Sequence, residues 1–422
     1  MNEGYNGMPV KAPFQKGTFF AGILTGILVV SVIGAGVFLG TKLAHRNDAN
    51  GVAEAVSASG TDTYDSVLNS RSRKKIRQIL QIVDEHYLNE VTQDELEEGL
   101  YRGIIAALDD KYAEYYNEKE YQDLIDSNQG VFYGIGAYIS IDEDTQYPYF
   151  KEIMEGTPAE EAGLQAKDYI MKVDGEDMRG FELKEVTSRV KGPEGTQVTL
   201  TIKRKTKEFE VTITRAKVNT PTVKYDMKDG DIGYIKITEF DSVTVSQFET
   251  ALNYVYSQNA KGLVIDLRNN GGGLLDACCD IARMMLPKGT ILYTLDKNDK
   301  KVTYDCDGKN EIQIPVVMLV NGSSASASEV LTGAMKDHEK ATVVGTTTFG
   351  KGIVQRIYDL KDDTAIKLTI SAYYTPNGIS IHGTGIEPDV KVELDEDAYV
   401  ESDGEEDNQL DKAIEVLRGK IR

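Results

Sequence analysis

Four groups of residues in the second half of the chain could do chemistry together. The first is Asn321-Gly-Ser-Ser-Ala-Ser-Ala-Ser-Glu329, which lies between the apolar run Val316–Val320 and a stretch with apolar positions at Val330, Leu331, Ala334 and Met335. A serine of this block sits at a helix start, where unpaired backbone N–H groups and the helix dipole favour a developing negative charge. Ser and Ala also simply begin helices well, so the block alone says little. The second is Lys351, held between Gly350 and Gly352 in a β-like stretch. A lysine is neutral in only about 0.04% of molecules at pH 7, so it takes a serine proton only if burial strips its water. The third, Gln355, follows four residues later, on roughly the same face, where its amide could orient the lysine. The fourth is Gly262-Leu-Val-Ile-Asp-Leu-Arg-Asn-Asn-Gly-Gly-Gly273, an apolar strand running into a three-glycine turn. Such glycines let backbone N–H groups approach a ligand closely, as an oxyanion hole requires.

Other chemistries fit less well. Gly345-Thr-Thr-Thr-Phe-Gly350-Lys351-Gly352 follows much of the phosphate-loop pattern, but Gly352 stands where a Ser or Thr should hold magnesium. The following Ile353–Leu360 reads as a strand, not as the helix whose N-terminus cradles phosphate. The four histidines, His45, His86, His338 and His382, are scattered, which argues against a metal cluster. A Ser–His–Asp version would have to recruit His338 or His382. Three cysteines, Cys278, Cys279 and Cys306, suggest neither a disulfide framework nor a metal site and read as small buried residues.

The segments that must position these residues divide the 422-residue chain, which is too long for one ordinary core. A short tail at 1–16 precedes an uncharged apolar stretch at 17–40, whose roughly 36 Å as a helix would cross a hydrocarbon core of about 30 Å. This predicts one uncleaved anchor, with the bulk of the chain outside the cytoplasm at the cell membrane. A polar linker occupies 41–66 and a small helical region 67–127, where Thr92-Gln93-Asp94-Glu95 has capping-box character. Residues 128–217 form a β-rich module with one short helix, and 218–392 alternate strands and helices in the rhythm of an α/β layered core. An acidic run, read as a solvated linker, and a lone amphipathic helix fill 393–422. The net charge of −21 argues against nucleic acid as a partner.

Taken together, the Ser-Ala-Ser-Ala-Ser-Glu block, Phe349-Gly-Lys-Gly352 and the glutamine four residues beyond its lysine resemble the C-terminal processing peptidases, or tail-specific proteases, over about Ser70–Lys391. The resemblance implies that Ser326 is the nucleophile, Lys351 the general base and Gln355 the residue positioning it, with the N–H groups of Gly272 and Ala327 as oxyanion hole. The chain departs from the family's usual Asn-Pro-Gly-Gly with Asn270-Gly271-Gly272-Gly273, which leaves open which glycine N–H points inward. Tyr133-Gly134-Ile135-Gly136, Gly156-Thr-Pro-Ala159, Ala162-Gly-Leu164 and Asp168–Gly175 resemble a PDZ domain, whose Gly-Ile-Gly loop would bind a peptide carboxylate while the peptide adds as a strand. Lys167 stands where that family usually has Gly.

The expected fold is thus a multidomain α/β protein: one N-terminal transmembrane helix, a small helical region, a PDZ domain and an α/β layered peptidase core. The expected function is cleavage of protein C-terminal tails by a membrane-anchored serine endopeptidase without metal or organic cofactor. The resemblance also makes a homodimer plausible. A tethered PDZ scaffold or chaperone that binds peptides without cutting them is the competing reading.

Overall fold

The computed structural model describes residues 67–402 and 405–421. The expected anchor at 17–40 and most of the linker lie outside the described residues; among those described, no helix is long and apolar enough to cross a membrane. Residues up to Tyr115 belong to one compact unit and Tyr116–Arg422 to another.

The smaller unit carries helices α1 (Ser70–His86) and α2 (Gln93–Ala106). The capping box read from the sequence is present: Glu95 N–H donates to Thr92 Oγ1, and Thr92 N–H to Glu95 Oε2. Neither helix has a fully buried residue, and Ile79, Ile82, Leu100 and Ile104 are exposed.

The larger unit opens with α3 (Glu118–Gln129), ended by Gly130 in the left-handed region. Strands β1 (Val131–Gly134), β2 (Ala137–Ile141), β3 (Pro148–Ile153) and β4 (Tyr169–Val173) follow. Helix α4 (Leu183–Val190) then leads to β5 (Gln197–Arg204), β6 (Lys207–Thr214) and β7 (Ala216–Asn219). The antiparallel path β2-β3-β4-β5-β6 encloses a core of Ile135, Phe150, Ile170, Met178, Leu200 and their neighbours, with Val186 and Val190 of α4 buried in it. Strand β7 returns to pair with β1 and closes the module. Lys167 has φ +69°, which explains why glycine suits that turn better.

Next come β8 (Val223–Lys228), β9 (Ile232–Ile237), α5 (Thr244–Ser257), β10 (Gly262–Asp266), α6 (Leu275–Arg283), β11 (Gly289–Asp296), β12 (Lys301–Cys306) and β13 (Val316–Val320). The chain continues through α7 (Ala327–Asp337), β14 (Ala341–Gly345), β15 (Ile353–Asp359), β16 (Ala365–Tyr374), β17 (Val390–Lys391) and α8 (Asn408–Arg418). One sheet runs β8-β9-β10-β13-β14-β17, parallel from β9 onward. Both faces are covered, so its central strands read as unbroken apolar runs. Val316, Met318 and Val320 meet α5, α6 and α7 on one face, while Val317 and Leu319 meet Ala413 and Leu417 of α8 on the other. A second, antiparallel group joins β15, β16, β11 and β12. The hairpin β11–β12 was not legible in the sequence, since half-exposed polar residues interrupt its apolar positions.

Two expectations for the C-terminal stretch are corrected. Helix α8 is not a lone helix, because it supplies one layer of the core. The acidic run is not solvated throughout: Asp407 caps α8 and binds Arg268 Nη1 and Nη2 at 2.9 and 2.6 Å, while Arg268 also pairs with the fully buried Asp266. Burial pushes the Asp407 carboxyl up, but the hydrogen bonds and charge of Arg268 outweigh it and hold the group below the usual carboxylate range.

Asp407→Ala, which strips a buried arginine of one partner, is expected to cost on the order of 3 kcal/mol in urea unfolding at neutral pH. That contribution is lost as pH falls through the depressed folded value. Asp241, buried against Gly130, behaves oppositely: burial, then the charge of Glu239, push its carboxyl up to about 8. The folded state therefore holds this proton more tightly, and stability falls as pH rises from about 4 to about 8. The melting temperature of Asp241→Asn relative to the natural chain should rise across that window.

Candidate active site

Ser326 lies where β13 ends and α7 begins, 1% exposed, with φ +55° and ψ −115°. A non-glycine residue in that region costs about 1–3 kcal/mol and persists only where its surroundings over-determine it. They do so here. The Ser326 N–H donates to Glu329 Oε2 at 2.9 Å, and its carbonyl accepts from the N–H groups of Glu329 and Val330 and from the Tyr373 hydroxyl at 3.0 Å. The other buried serines of the block are fasteners. Ser324 Oγ donates to the Leu267 carbonyl and Ser328 Oγ to the Asn270 carbonyl, tying the block to the glycine turn.

That turn comes as close to Ser326 as backbone can. A Cβ on Gly272 would lie 2.9 Å from Ser326 Cβ and 3.0 Å from the Ala327 nitrogen, and Gly272 holds φ +110°. Gly272 does lie beside Ser326, but its N–H is used differently from the expectation. Gly272 N–H donates to Asn270 Oδ1 at 2.8 Å, so in this structure it stabilises the turn instead of standing open as an oxyanion donor. Asn270 also donates from Nδ2 to the Ile237 carbonyl and accepts the Ala325 N–H on its own carbonyl. The Ala327 N–H is the first of α7, a position with no acceptor inside the helix.

Lys351 is 2% exposed, among the largest fully buried side chains. Its flanking glycines are required by a crossing chain: a Cβ on Gly350 would lie 2.9 Å from the Gly385 nitrogen, and one on Gly352 2.7 Å from that of His382. The strand β15 after it confirms that the phosphate-loop pattern lacks its helix. Gln355 is 1% exposed on β15, beside a register irregularity between Val354 and Gln355. Its Nε2 reaches Thr369 Oγ1 at 3.4 Å and its Oε1 is buried without a hydrogen-bond partner. The amide therefore makes no bond to Lys351 in this geometry, because the irregularity breaks the simple alternation that the four-residue spacing assumed. Neither histidine suits a Ser–His–Asp arrangement. His338 caps the far end of α7, about 18 Å from Ser326 by helical rise, with Nε2 2.7 Å from the Thr290 carbonyl oxygen. His382 is exposed.

Glu329, whose role is not legible in the sequence, is the centre of the arrangement. It is fully buried, and its Oε2 accepts the backbone N–H groups of both Ser326 and Lys351, at 2.9 and 2.8 Å. Its Oε1 accepts the Gly350 N–H at 2.7 Å and the Thr348 hydroxyl at 2.6 Å. The signal was the capping-box spacing, a Ser with Glu three residues on, which normally describes a helix start and not a bridge to a distant loop. The cysteines are buried and free as read; burial raises the Cys278 thiol, which donates to the Ala327 carbonyl.

In the β-rich module, Tyr133 and Gly134 end β1, Ile135 is a core residue and Gly136 has φ +84°. A Cβ on Gly136 would lie 2.3 Å from Thr157, whose hydroxyl reaches the Gly136 carbonyl. Among the described residues, strand β2 ends the sheet order and pairs only with β3, leaving an edge beside α4.

Fold and sequence together define a serine peptidase core preceded by a PDZ domain. Residues 231–392 match peptidase family S41, residues 149–204 a PDZ domain, and residues 28–120 the N-terminal domain of the activating protease CtpB. The chain is 38% identical to a probable CtpA-like serine protease of Staphylococcus saprophyticus over 346 residues, covering 81% of this chain and 70% of that one. It is 36% identical to the carboxyl-terminal-processing protease of a Synechocystis species over 324 residues, 75% of this chain and 76% of that one. The solved photosystem II D1 C-terminal processing protease is similar at 29% identity and a TM-score of 0.45, over 78% of this chain and 89% of that one. The chain belongs to peptidase family S41, as a PDZ-containing carboxyl-terminal-processing serine protease.

Glu329→Gln keeps the volume but turns an N–H₂ toward converging donors. It is expected to cost about 2 kcal/mol in thermal unfolding and to cut proteolytic turnover by at least about tenfold, read with a fluorogenic peptide.

Proposed function

We propose that the chain is a membrane-anchored endopeptidase in which Ser326 is the nucleophile and Lys351 the general base. The observation that carries this reading is the shared oxygen: Glu329 Oε2 accepts the backbone N–H of both residues. A buried serine against a glycine turn that admits no side chain, and a buried lysine whose loop is tied to the same carboxyl group, suit acyl transfer.

A substrate tail adds to the open edge of β2, with its carboxylate at Tyr133-Gly134-Ile135-Gly136. Ser326 then attacks a peptide carbonyl while neutral Lys351 takes the hydroxyl proton, forming an acyl-enzyme. Lys351 passes that proton to the leaving amine and next activates the water that releases the product. The Ala327 N–H stabilises the oxyanion, each such donor being worth about 3–4 kcal/mol. Gly272 N–H joins it once Asn270 Oδ1 lets go. Gln355, with a buried acceptor to spare, positions the lysine or the water during turnover. The apolar stretch at 17–40 anchors the enzyme, with the catalytic part outside the cytoplasm. The exposed Ile79, Ile82, Leu100 and Ile104 support a homodimer through the helical region.

Ser326→Ala and Lys351→Ala should each lower cleavage of an unstructured protein by at least about 10³-fold while the melting temperature is kept. The measurement is mass spectrometry of the C-terminal fragments, and full activity in either variant would sink the dyad.

A further inference from the structure

A second bridge joins the two loops of the site, and it reaches the peptide unit that carries the Ala327 N–H. Tyr373 lies near the end of β16, which is paired on one side with β15 and on the other with β11, and its side chain is 3% exposed. Its backbone N–H donates to the carbonyl of Gly352, next to Lys351, at 3.0 Å. Its hydroxyl donates to the carbonyl of Ser326, also at 3.0 Å. A planar ring with two rotatable bonds thus acts as a spacer of fixed length between the lysine loop and the serine. The carbonyl of Ser326 and the N–H of Ala327 belong to one planar trans peptide and point in opposite directions, so whatever fixes the carbonyl also aims the N–H. The other two donors to that carbonyl, the N–H groups of Glu329 and Val330, belong to α7 and move with it. Tyr373 brings its donor from a different sheet.

We infer that Tyr373 is a positioning residue, whose hydroxyl aims the Ala327 N–H at the oxyanion by holding the 326–327 peptide in its strained conformation. This rests on the reading of Ser326 as nucleophile. Burial, and then the nearby Glu329, raise the phenol far above its ordinary range, so it remains a donor at every working pH. The sequence gives no hint of the role. Tyr373 and Tyr374 are indistinguishable there, and only strand alternation separates them: Tyr374 stacks on Tyr293 at 5.1 Å, away from the site.

The test compares Tyr373→Phe, Tyr374→Phe and Ser326→Ala with the natural full-length chain on an unstructured protein substrate. Because one misaimed oxyanion donor forfeits much of a full donor's effect, Tyr373→Phe should lower kcat by about 10- to 100-fold with KM changed less than about twofold. The rate of covalent labelling by a fluorophosphonate, which needs the same oxyanion donor, should fall in parallel. The pH at which kcat turns on should not move, since Lys351 is untouched. Tyr374→Phe should leave kcat unchanged. Placing 4-aminophenylalanine at 373 restores an N–H donor, and kcat should recover to within about threefold of the natural chain; this arm decides the matter if Tyr373→Phe proves unstable. A Tyr373→Phe variant that keeps kcat and labelling rate while Ser326→Ala is dead overturns this inference alone, as does a folded 4-aminophenylalanine variant with no recovery. An active Ser326→Ala overturns the nucleophile assignment beneath it.

Discussion

A carboxyl group with no access to water holds the site together. Glu329 receives four donors on two oxygens, three of them backbone N–H groups of Ser326, Gly350 and Lys351. Backbone groups cannot rotate away as side chains can, so this convergence fixes where two loops from different strands meet. A buried carboxyl without such partners would be strongly disfavoured, so the loops must be in place for the residue to be tolerated at all. Formation of the core and assembly of the site are in this sense one event. Tyr373 repeats the logic from the other side, linking Gly352 to Ser326 through the hydroxyl and the amide of one residue.

The glycines are the steric counterpart of these bonds. Gly272, Gly350 and Gly352 each stand where a Cβ would lie less than 3 Å from the backbone of another segment or from Ser326. Close approach of three backbone segments lets amides do the positioning, with short distances and few rotatable bonds. The turn at Gly272 is reinforced from further away: Arg268, four residues earlier, is clamped between Asp266 and Asp407, so the C-terminal helix α8 is fastened to the strand end from which the turn departs. Helix α8 is thereby part of the frame behind the site as well as a cover for the sheet.

Substrate capture, as proposed, rests on different physics. The PDZ module offers an open strand edge and a backbone loop, features suited to contacting a peptide's main chain and terminus with little demand on its side chains. Its loop is kept in shape by Thr157 and by the burial of Ile135 in the module's own core, independently of the peptidase layer.

The residues of the candidate site were legible in the sequence because together they form an unusual pattern: Ser326 at a helix start, Lys351 between glycines, and Gly272 after an apolar strand. The sheet was legible for the same kind of reason, since strands buried on both faces, such as Val316–Val320, are continuous apolar runs. The hairpin Gly289–Cys306 was not, because its exposed face dilutes the signal. Nor could local spacing reveal partners that come from distant segments. Whether Glu329 caps its own helix or also binds a loop 22 residues on, whether Gln355 faces Lys351 across an irregular strand, and whether Asp407 is solvated or clamps Arg268 depend on which surfaces meet. The sequence by itself determined which groups are available for the reaction. The tertiary structure decided which backbone amides aim them, because hydrogen bonds between distant segments exist only once the chain is packed.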